Sequence, residues 1–376
     1  MHTLIKASDL EKTGLKNGLD AFGIAKADQF TKTLEILKAR KEQGLHGGMN
    51  FTYRNPVRST TPAITMPDAQ SLVVGARSYW KTQEEASNKI DPQGKVALYA
   101  QENNYEKLRE GLLAVAEELE SKGYKTIILI DDNALVDREA AYQAGIGWYG
   151  KNANILIPKR GSWFVLGSIL TNAILEPNTP VKDNCGPCTK CINSCPTEAI
   201  ISPGVIDSNR CLAWLVQSPK DFPPEFRGAL GDKIYGCDDC QDVCPVNKYE
   251  ERVEKLKTRK NKSTVPVFNI LEQDDETLIS KYGQWYIPQR DPRYLRRNAL
   301  LVLGNIGTAE SEKVQAIVSR YLESADSMLR SYAVWAAKRL GLTNLLKGME
   351  NDVSEDVQRE LALQVKQVDK TLKVKN

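Results

Sequence analysis

Histidine is almost absent from this chain of 376 residues, which has only His2 and His46. A metal centre built on several imidazoles, as in many iron and copper proteins, is thereby excluded. Cysteine is missing from residues 1–184 and from residues 245–376, so no disulfide framework of the kind that braces small secreted domains runs through the chain. Long apolar runs are lacking too: none approaches the roughly 20 residues needed to cross a bilayer. The opening stretch, Met1-His-Thr-Leu-Ile-Lys-Ala-Ser-Asp-Leu-Glu-Lys, carries charges every few positions and no continuous apolar core, which argues against a secretory signal. A cytoplasmic protein with no membrane part is therefore expected. The net charge of +3 is too mild to demand a nucleic-acid partner, although local basic patches can still serve one.

What is present is concentrated. All eight cysteines fall between Cys185 and Cys244. The first four read Cys185-Gly-Pro-Cys188-Thr-Lys-Cys191-Ile-Asn-Ser-Cys195-Pro196, the C-x2-C-x2-C-x3-C-P run of two-cluster ferredoxins. The rest are Cys211 and then Cys237-Asp-Asp-Cys240-Gln-Asp-Val-Cys244-Pro245, so the second half keeps C-x2-C-x3-C-P and takes its missing ligand from upstream. In such proteins the fourth cysteine of a run ligates the other cluster. That rule assigns Cys185, Cys188, Cys191 and Cys244 to one 4Fe–4S cluster, and Cys195, Cys211, Cys237 and Cys240 to the other. Zinc is the weaker reading, because three cysteines at successive x2 spacing crowd a single tetrahedral ion.

Length and patterning predict an α+β fold in three parts: residues 1–178, a two-cluster ferredoxin-like domain at 179–250, and a linker with helical repeats at 251–376. In the first part, Leu108 to Leu119 places apolar residues at helical spacing. Gly123 stops that helix, and Thr126-Ile-Ile-Leu-Ile130 reads as a strand ending in the turn-forming trio Asp131-Asp132-Asn133. Ser71–Ala76 and Trp163–Leu170 read as further strands of the same sheet. Between them lie Val136-Asp137-Arg138 and Ala144-Gly145-Ile-Gly147-Trp148-Tyr149-Gly150-Lys151-Asn152. Three glycines so closely spaced suit a backbone that approaches a large ligand, and equally an ordinary glycine-rich turn. The G-x-G-x-x-G spacing follows an alanine-rich helical stretch, whereas a dinucleotide fingerprint follows a strand, which argues against a dinucleotide.

After Pro245, Glu251 to Lys262 is a basic linker holding Arg252, Lys255, Lys257, Arg259, Lys260 and Lys262. Beyond it, 294–306, 312–322 and 328–340 read as amphipathic helices. The run from Leu295 aligns with the run from Leu329 at an offset of 34 residues, which fits a short helical-hairpin array of the HEAT type. Arg290, Arg293, Arg296, Arg297, Arg330, Lys338 and Arg339 fall in this region. They read either as an RNA-facing cluster or as solvated helix surface.

Two clusters deliver single electrons, usually to a cofactor that breaks the bond. No cysteine is left over for a haem thiolate or a nucleophile. The Asp-x-His-x-x-Gly pattern that supplies histidine to cobalt in many corrin proteins is absent.

The ordered set Val136-Asp137-Arg138, Ala144-Gly-Ile-Gly-Trp148, Gly150-Lys151-Asn152, the eight cysteines and the repeat-like tail resembles the epoxyqueuosine reductase family across nearly the whole chain. The resemblance implies an N-terminal α/β cobalamin-binding domain that holds the corrin base-off beside two 4Fe–4S clusters. It also implies a tail that helps hold the anticodon stem-loop of a tRNA, and an external low-potential electron donor. Asp131, Arg138, Gly147, Trp148, Lys151 and Asn152 then become the cofactor-binding set. The reaction would remove the epoxide oxygen of epoxyqueuosine as water, with Asp131 as the acid that protonates it. That role requires a raised pKa. Many family members have Asp-Thr-Gly where this chain has Asp131-Asp132-Asn133, which places a second carboxylate beside the acid. Asp137 is expected to pair with Arg138 structurally. The alternatives are a cobalamin-dependent reductive dehalogenase and a ferredoxin-like electron carrier.

Overall fold

The structure, a computed structural model, describes residues 5–84, 91–249 and 260–367. His2 and the expected basic residues Arg252, Lys255, Lys257 and Arg259 lie outside the described residues. The chain divides into two compact units: Met1–Thr82 with Gln101–Cys211 and Asp238–Asn261, and Gln83–Ala100 with Leu212–Cys237 and Lys262–Asn376. These bounds do not coincide with breaks at 178 and 250. Within the cysteine region, Leu212, Leu215, Val216, Phe222, Leu230 and Ile234 are buried in the core of the second unit, which is why residues 212–237 group with it.

The first unit is built on a four-stranded sheet in the order Ala21–Lys26, Ser71–Ser78, Phe164–Thr171, Thr126–Ile130. Every neighbouring pair is antiparallel. The overall α+β class holds, whereas the α/β description of the N-terminal part does not. Ser71–Ser78 and Thr126–Ile130 run parallel to each other and are joined through the helix Asn104–Ser121, but Phe164–Thr171 lies between them and pairs antiparallel with both, so no two parallel strands of this sheet are hydrogen-bonded neighbours. The helix Asn104–Ser121 buries Leu108, Leu112, Val115 and Leu119, as the apolar spacing predicts. Two strand glycines make that packing possible. A Cβ on Gly75 would come within 2.9 Å of Leu19 and 3.0 Å of Leu112, and one on Gly167 would come within 2.9 Å of Leu112. At the far edge, Thr126–Ile130 delivers the chain directly into the turn at Asp131.

The second unit packs helices around a small sheet in which Gln93–Val96 pairs parallel with Lys233–Tyr235 and antiparallel with Thr264–Pro266. Its helices Arg293–Ile306, Glu312–Leu322 and Ser327–Leu340 match the three read from the sequence to within a residue. Ser311 and Asp326 cap the second and third by accepting backbone N–H bonds from Val314 and Leu329. The 34-residue offset reappears as burial: Leu295, Ala299, Leu300 and Leu303 are buried, and so are Leu329, Ala333, Val334 and Ala337. Arg297, on the first of these helices, is wholly buried. No helix among the described residues is long and apolar enough to cross a membrane.

Candidate functional site: a thiol cluster and an acidic turn

All eight cysteines are half-buried. Four of them are brought together in the first unit. The Cys191 thiol is pushed up by burial and by the nearby Cys244 and Cys185. That of Cys244 is raised by burial, against backbone hydrogen bonds from Val246 and Asn247, with Cys185 and Cys188 adding to the rise. Cys191 is thus within electrostatic reach of Cys244 and Cys185, and Cys244 of Cys185 and Cys188, so the last cysteine of the second run lies near the first run. The short helices Lys190–Asn193 and Asp239–Asp242 pack together to bring this about. Cys195 already accepts a backbone N–H from Ala199 at 3.2 Å. Such N–H donors stabilise thiolates that ligate iron.

The second cysteine run is anchored to the sheet by a buried polar network that sequence reasoning missed. Gln241 accepts hydrogen bonds from the Tyr79 hydroxyl at 3.2 Å and the Ser162 hydroxyl at 2.9 Å. Asn247 donates to the Gln241 carbonyl at 2.7 Å and accepts from the Ser162 N–H at 2.7 Å. The available signal was uncharged amides beside cluster cysteines, in Cys240-Gln241 and Pro245-Val-Asn247.

The glycine-rich segment serves the protein's own chain. A Cβ on Gly147 would fall 2.4 Å from the Leu156 carbonyl, and one on Gly145, at φ +67°, would fall 2.5 Å from the Thr179 carbonyl. Close approach is what these glycines permit, and the approaching group is backbone. Lys151 and Asn152 likewise reach the cysteine loops. The Lys151 ammonium donates to the Gly186 carbonyl at 2.7 Å and the Cys188 carbonyl at 2.9 Å, and the Asn152 amide donates to the Cys240 carbonyl at 3.3 Å. Trp148 is buried, and its indole N–H has no hydrogen-bond partner.

The acidic turn is held in an unusual conformation. Asp131 has φ +50°, the left-handed region that a non-glycine residue occupies at a cost of order 1–3 kcal/mol. The turn is bolted from outside. Arg58 donates to the Asn133 side chain at 2.9 Å, and the buried Ser59 hydroxyl donates to the Asn133 carbonyl at 2.5 Å. The Asp132 carboxylate accepts the Ala134 N–H at 2.8 Å. Next to them, Asp137 opens the helix Asp137–Gln143 with its Oδ1 buried and unpartnered. No ion pair joins Asp137 to Arg138, so the expected structural pair is not formed; Arg138 is exposed and acts on Asp137 only at longer range.

Desolvation, then repulsion from Asp132, raises the Asp131 pKa above its ordinary value. Asp137 lies well above its ordinary value through burial and then the charge of Asp131, with Arg138 opposing. Both carboxyls thus hold their protons to higher pH than an isolated aspartate does.

In the tail, the candidate cations are largely spent on the protein. Arg297 is a correction: it donates to the carbonyls of Ser218 at 2.7 Å, Lys220 at 2.9 Å and Leu215 at 3.1 Å, and is sealed from any phosphate. Its helix is buried on nearly every side, so helical spacing alone could not say which face was exposed. Arg296 pairs with Asp275, and its equivalent 34 residues on, Arg330, pairs with Asp352 at 2.8 Å. Lys338 caps the carbonyls of Glu360, Leu361 and Leu363, and Arg339 donates to the Lys366 carbonyl. Arg293 pairs with Asp291 at 2.8 Å and lies over the Tyr294 ring. Arg290 is exposed, with one bond to the Gly283 carbonyl at 3.2 Å.

The α+β body with its strained carboxylate turn also carries all eight cysteines between Cys185 and Cys244, and residues 184–247 match the 4Fe-4S double cluster binding domain family, which makes this an iron–sulfur protein. The chain is 31% identical to the epoxyqueuosine reductase of Vibrio cholerae over 340 residues, 88% of this chain and 90% of that one. It is 31% identical to that of Bacillus cereus over 365 residues, 92% of each chain. A crystal structure of epoxyqueuosine reductase with an epoxyqueuosine-modified tRNA-Tyr stem loop superposes with a TM-score of 0.83 at 28% identity, covering 94% of this chain and 96% of that one. A Bacillus subtilis structure, described with its catalytic aspartate loop swung out of the active site, superposes with a TM-score of 0.82 at 28% identity over the same shares. The chain belongs to the epoxyqueuosine reductase family.

Proposed function

We propose that this protein reduces epoxyqueuosine to queuosine in tRNA. The observation that carries the reading is near-full-length identity to enzymes of this name, together with a related fold seen with its modified stem loop. The balance is simple: epoxide plus two electrons and two protons gives the alkene and water. The two four-cysteine sets would carry the electrons, received one at a time from an external low-potential donor. A base-off cobalamin, when bound, would supply the low-potential two-electron chemistry at the epoxide.

The residues that fit a corrin are those with unsatisfied polar groups. They are the Trp148 indole N–H and the Asp137 Oδ1, joined by the exposed Arg138, which has no ion pair among the described residues. Gly147 has its Cβ space filled by the Leu156 carbonyl, and Lys151 and Asn152 are engaged on the cysteine loops. They support the cofactors rather than cradle a corrin. Neither histidine is assigned to cobalt.

Asp131 holds the proton that the epoxide oxygen takes as the C–O bond breaks. Its raised pKa, set by desolvation and then by the charge of Asp132, favours the protonated form that this role needs. The strained backbone at φ +50° is consistent with a loop that is reset during turnover. Arg290 and Arg293 are the tail cations best placed to meet tRNA phosphates.

The test is a single turnover by anaerobically loaded protein on tRNA carrying epoxyqueuosine, with iron, sulfide and cobalt measured per chain. Loss of one oxygen from the modified nucleoside, with about eight irons and one cobalt, supports the assignment. Product formation without cobalt removes cobalamin, and reduction of a halogenated substrate in place of tRNA favours a dehalogenase.

A further inference from the structure

We propose that Lys151 raises the reduction potential of the cluster ligated by Cys185, Cys188, Cys191 and Cys244 relative to that of its companion, so that the Gly150-Lys151-Asn152 turn sets the direction of electron flow between them. The inference rests on the two-cluster reading above.

The turn touches the ligand segments of both clusters, unequally. Lys151 brings a full positive charge to the first segment, donating to the Gly186 and Cys188 carbonyls at 2.7 and 2.9 Å. Asn152, the next residue, brings a neutral amide to the Cys240 carbonyl at 3.3 Å, in the segment assigned to the other cluster. Reducing a 4Fe–4S cluster from 2+ to 1+ adds one negative charge. A cation fixed nearby stabilises that state, and net charge around a cluster is among the determinants of its potential. Lys151 is half-buried, so salt screens it less than a surface lysine.

The turn is rigid enough to hold this geometry. Gly150 donates its N–H to the Asn154 carbonyl at 2.8 Å, and the Lys151 carbonyl accepts the Gly204 N–H at 2.9 Å. Asn152 is buried. A lysine kept only to tie down a loop would need one carbonyl partner anywhere along it, whereas this ammonium bridges two carbonyls within the first C-x2-C.

The experiment is a mediated reductive titration of the fully loaded protein, followed by electron spin resonance, in the wild type, Lys151→Met and Lys151→Arg, with iron counted in each. Lys151→Met should retain about eight irons. One of its two clusters should become harder to reduce by at least tenfold in the one-electron equilibrium, a shift of about 59 mV to lower potential. Lys151→Arg should stay within about threefold of the wild type, which is under half of that tenfold shift on the logarithmic scale. Unchanged potentials in Lys151→Met with both clusters present would overturn the proposal, as would loss of one cluster's iron in that variant, because the lysine would then serve retention alone. A wild-type protein without two clusters would instead refute the two-cluster reading itself.

Discussion

The acidic turn at Asp131–Arg138 and the cationic tail from Arg290 to Arg339 are both dense in one sign of charge, yet the fold treats them in opposite ways. In the tail, Arg296, Arg297, Arg330, Lys338 and Arg339 each end on carboxylates or backbone carbonyls. In the turn, Asp131 and Asp137 have raised proton affinities, to which neighbouring carboxylate charge contributes, Asp137 keeps a buried oxygen without a partner, and Asp131 sits in a strained conformation. Paired charge contributes to stability, while unpaired and strained charge persists only because surrounding structure holds it in place. Pairing, not density, separates the proposed chemical site from the scaffold.

The sharpest way to break that contrast is Asp131→Asn. It keeps shape and removes the proton, so single-turnover product formation should fall by about 10²- to 10⁴-fold with cluster and corrin content unaltered. Asp132→Asn and Asp137→Asn, measured beside it, locate the acid. A wild-type rate in Asp131→Asn with collapse in either neighbour moves the role to that neighbour.

On the other side, Arg297→Ala should behave as a scaffold mutation. Removing a buried guanidinium strands several carbonyls at once, with an expected loss of about 3–5 kcal/mol in denaturant unfolding. Arg290→Ala combined with Arg293→Ala should cost little stability. That pair should instead weaken tRNA binding about tenfold and lower the slope of log affinity against log salt by about two, roughly one per phosphate contact. An unchanged slope would return these two residues to the scaffold as well.

How much of this could be read beforehand follows from how local each feature is. The cysteine spacings of two and three residues are local, so the 4Fe-4S segment was legible, and the family match at residues 184–247 agrees with it; that Cys244 lies within electrostatic reach of Cys185, Cys188 and Cys191 is in keeping with the crossed set. Thr126–Ile130 was legible as a β-branched run. Ala21–Lys26, its small residues giving no such signal, went unremarked although it forms an edge of the sheet. Gly145 and Gly147 announced a close approach but not what approaches, because a ligand and the chain's own backbone both require a missing Cβ. Arg297 failed for a related reason: periodicity groups residues on one helix face without saying whether that face meets solvent. The bolt from Arg58 and Ser59 to Asn133 spans more than 70 residues and left no local trace.

The smallest expected effect sharpens the comparison most directly, because it asks whether the turn gives up stability to keep its protons. Asp137 has its pKa raised well above the ordinary carboxylate value, burial being the leading cause and Asp131 the next. The native protein therefore binds this proton more tightly than the unfolded chain, whose aspartates titrate near about 3.9. The stability linked to the group is fully present below that pH and is lost as pH rises through the higher native value. Asp137→Asn never ionises and escapes that loss. The variant should be more stable than the wild type at pH 8 by about 1 kcal/mol, the lower end of what an unsatisfied buried polar group costs. The gap should close as pH falls toward about 4. Thermal or denaturant unfolding of both proteins across this range measures it. A gap that is constant with pH would mean that Asp137 does not titrate with folding, and a wild type more stable than the variant at pH 8 would place Asp137 among the paired charges of the scaffold.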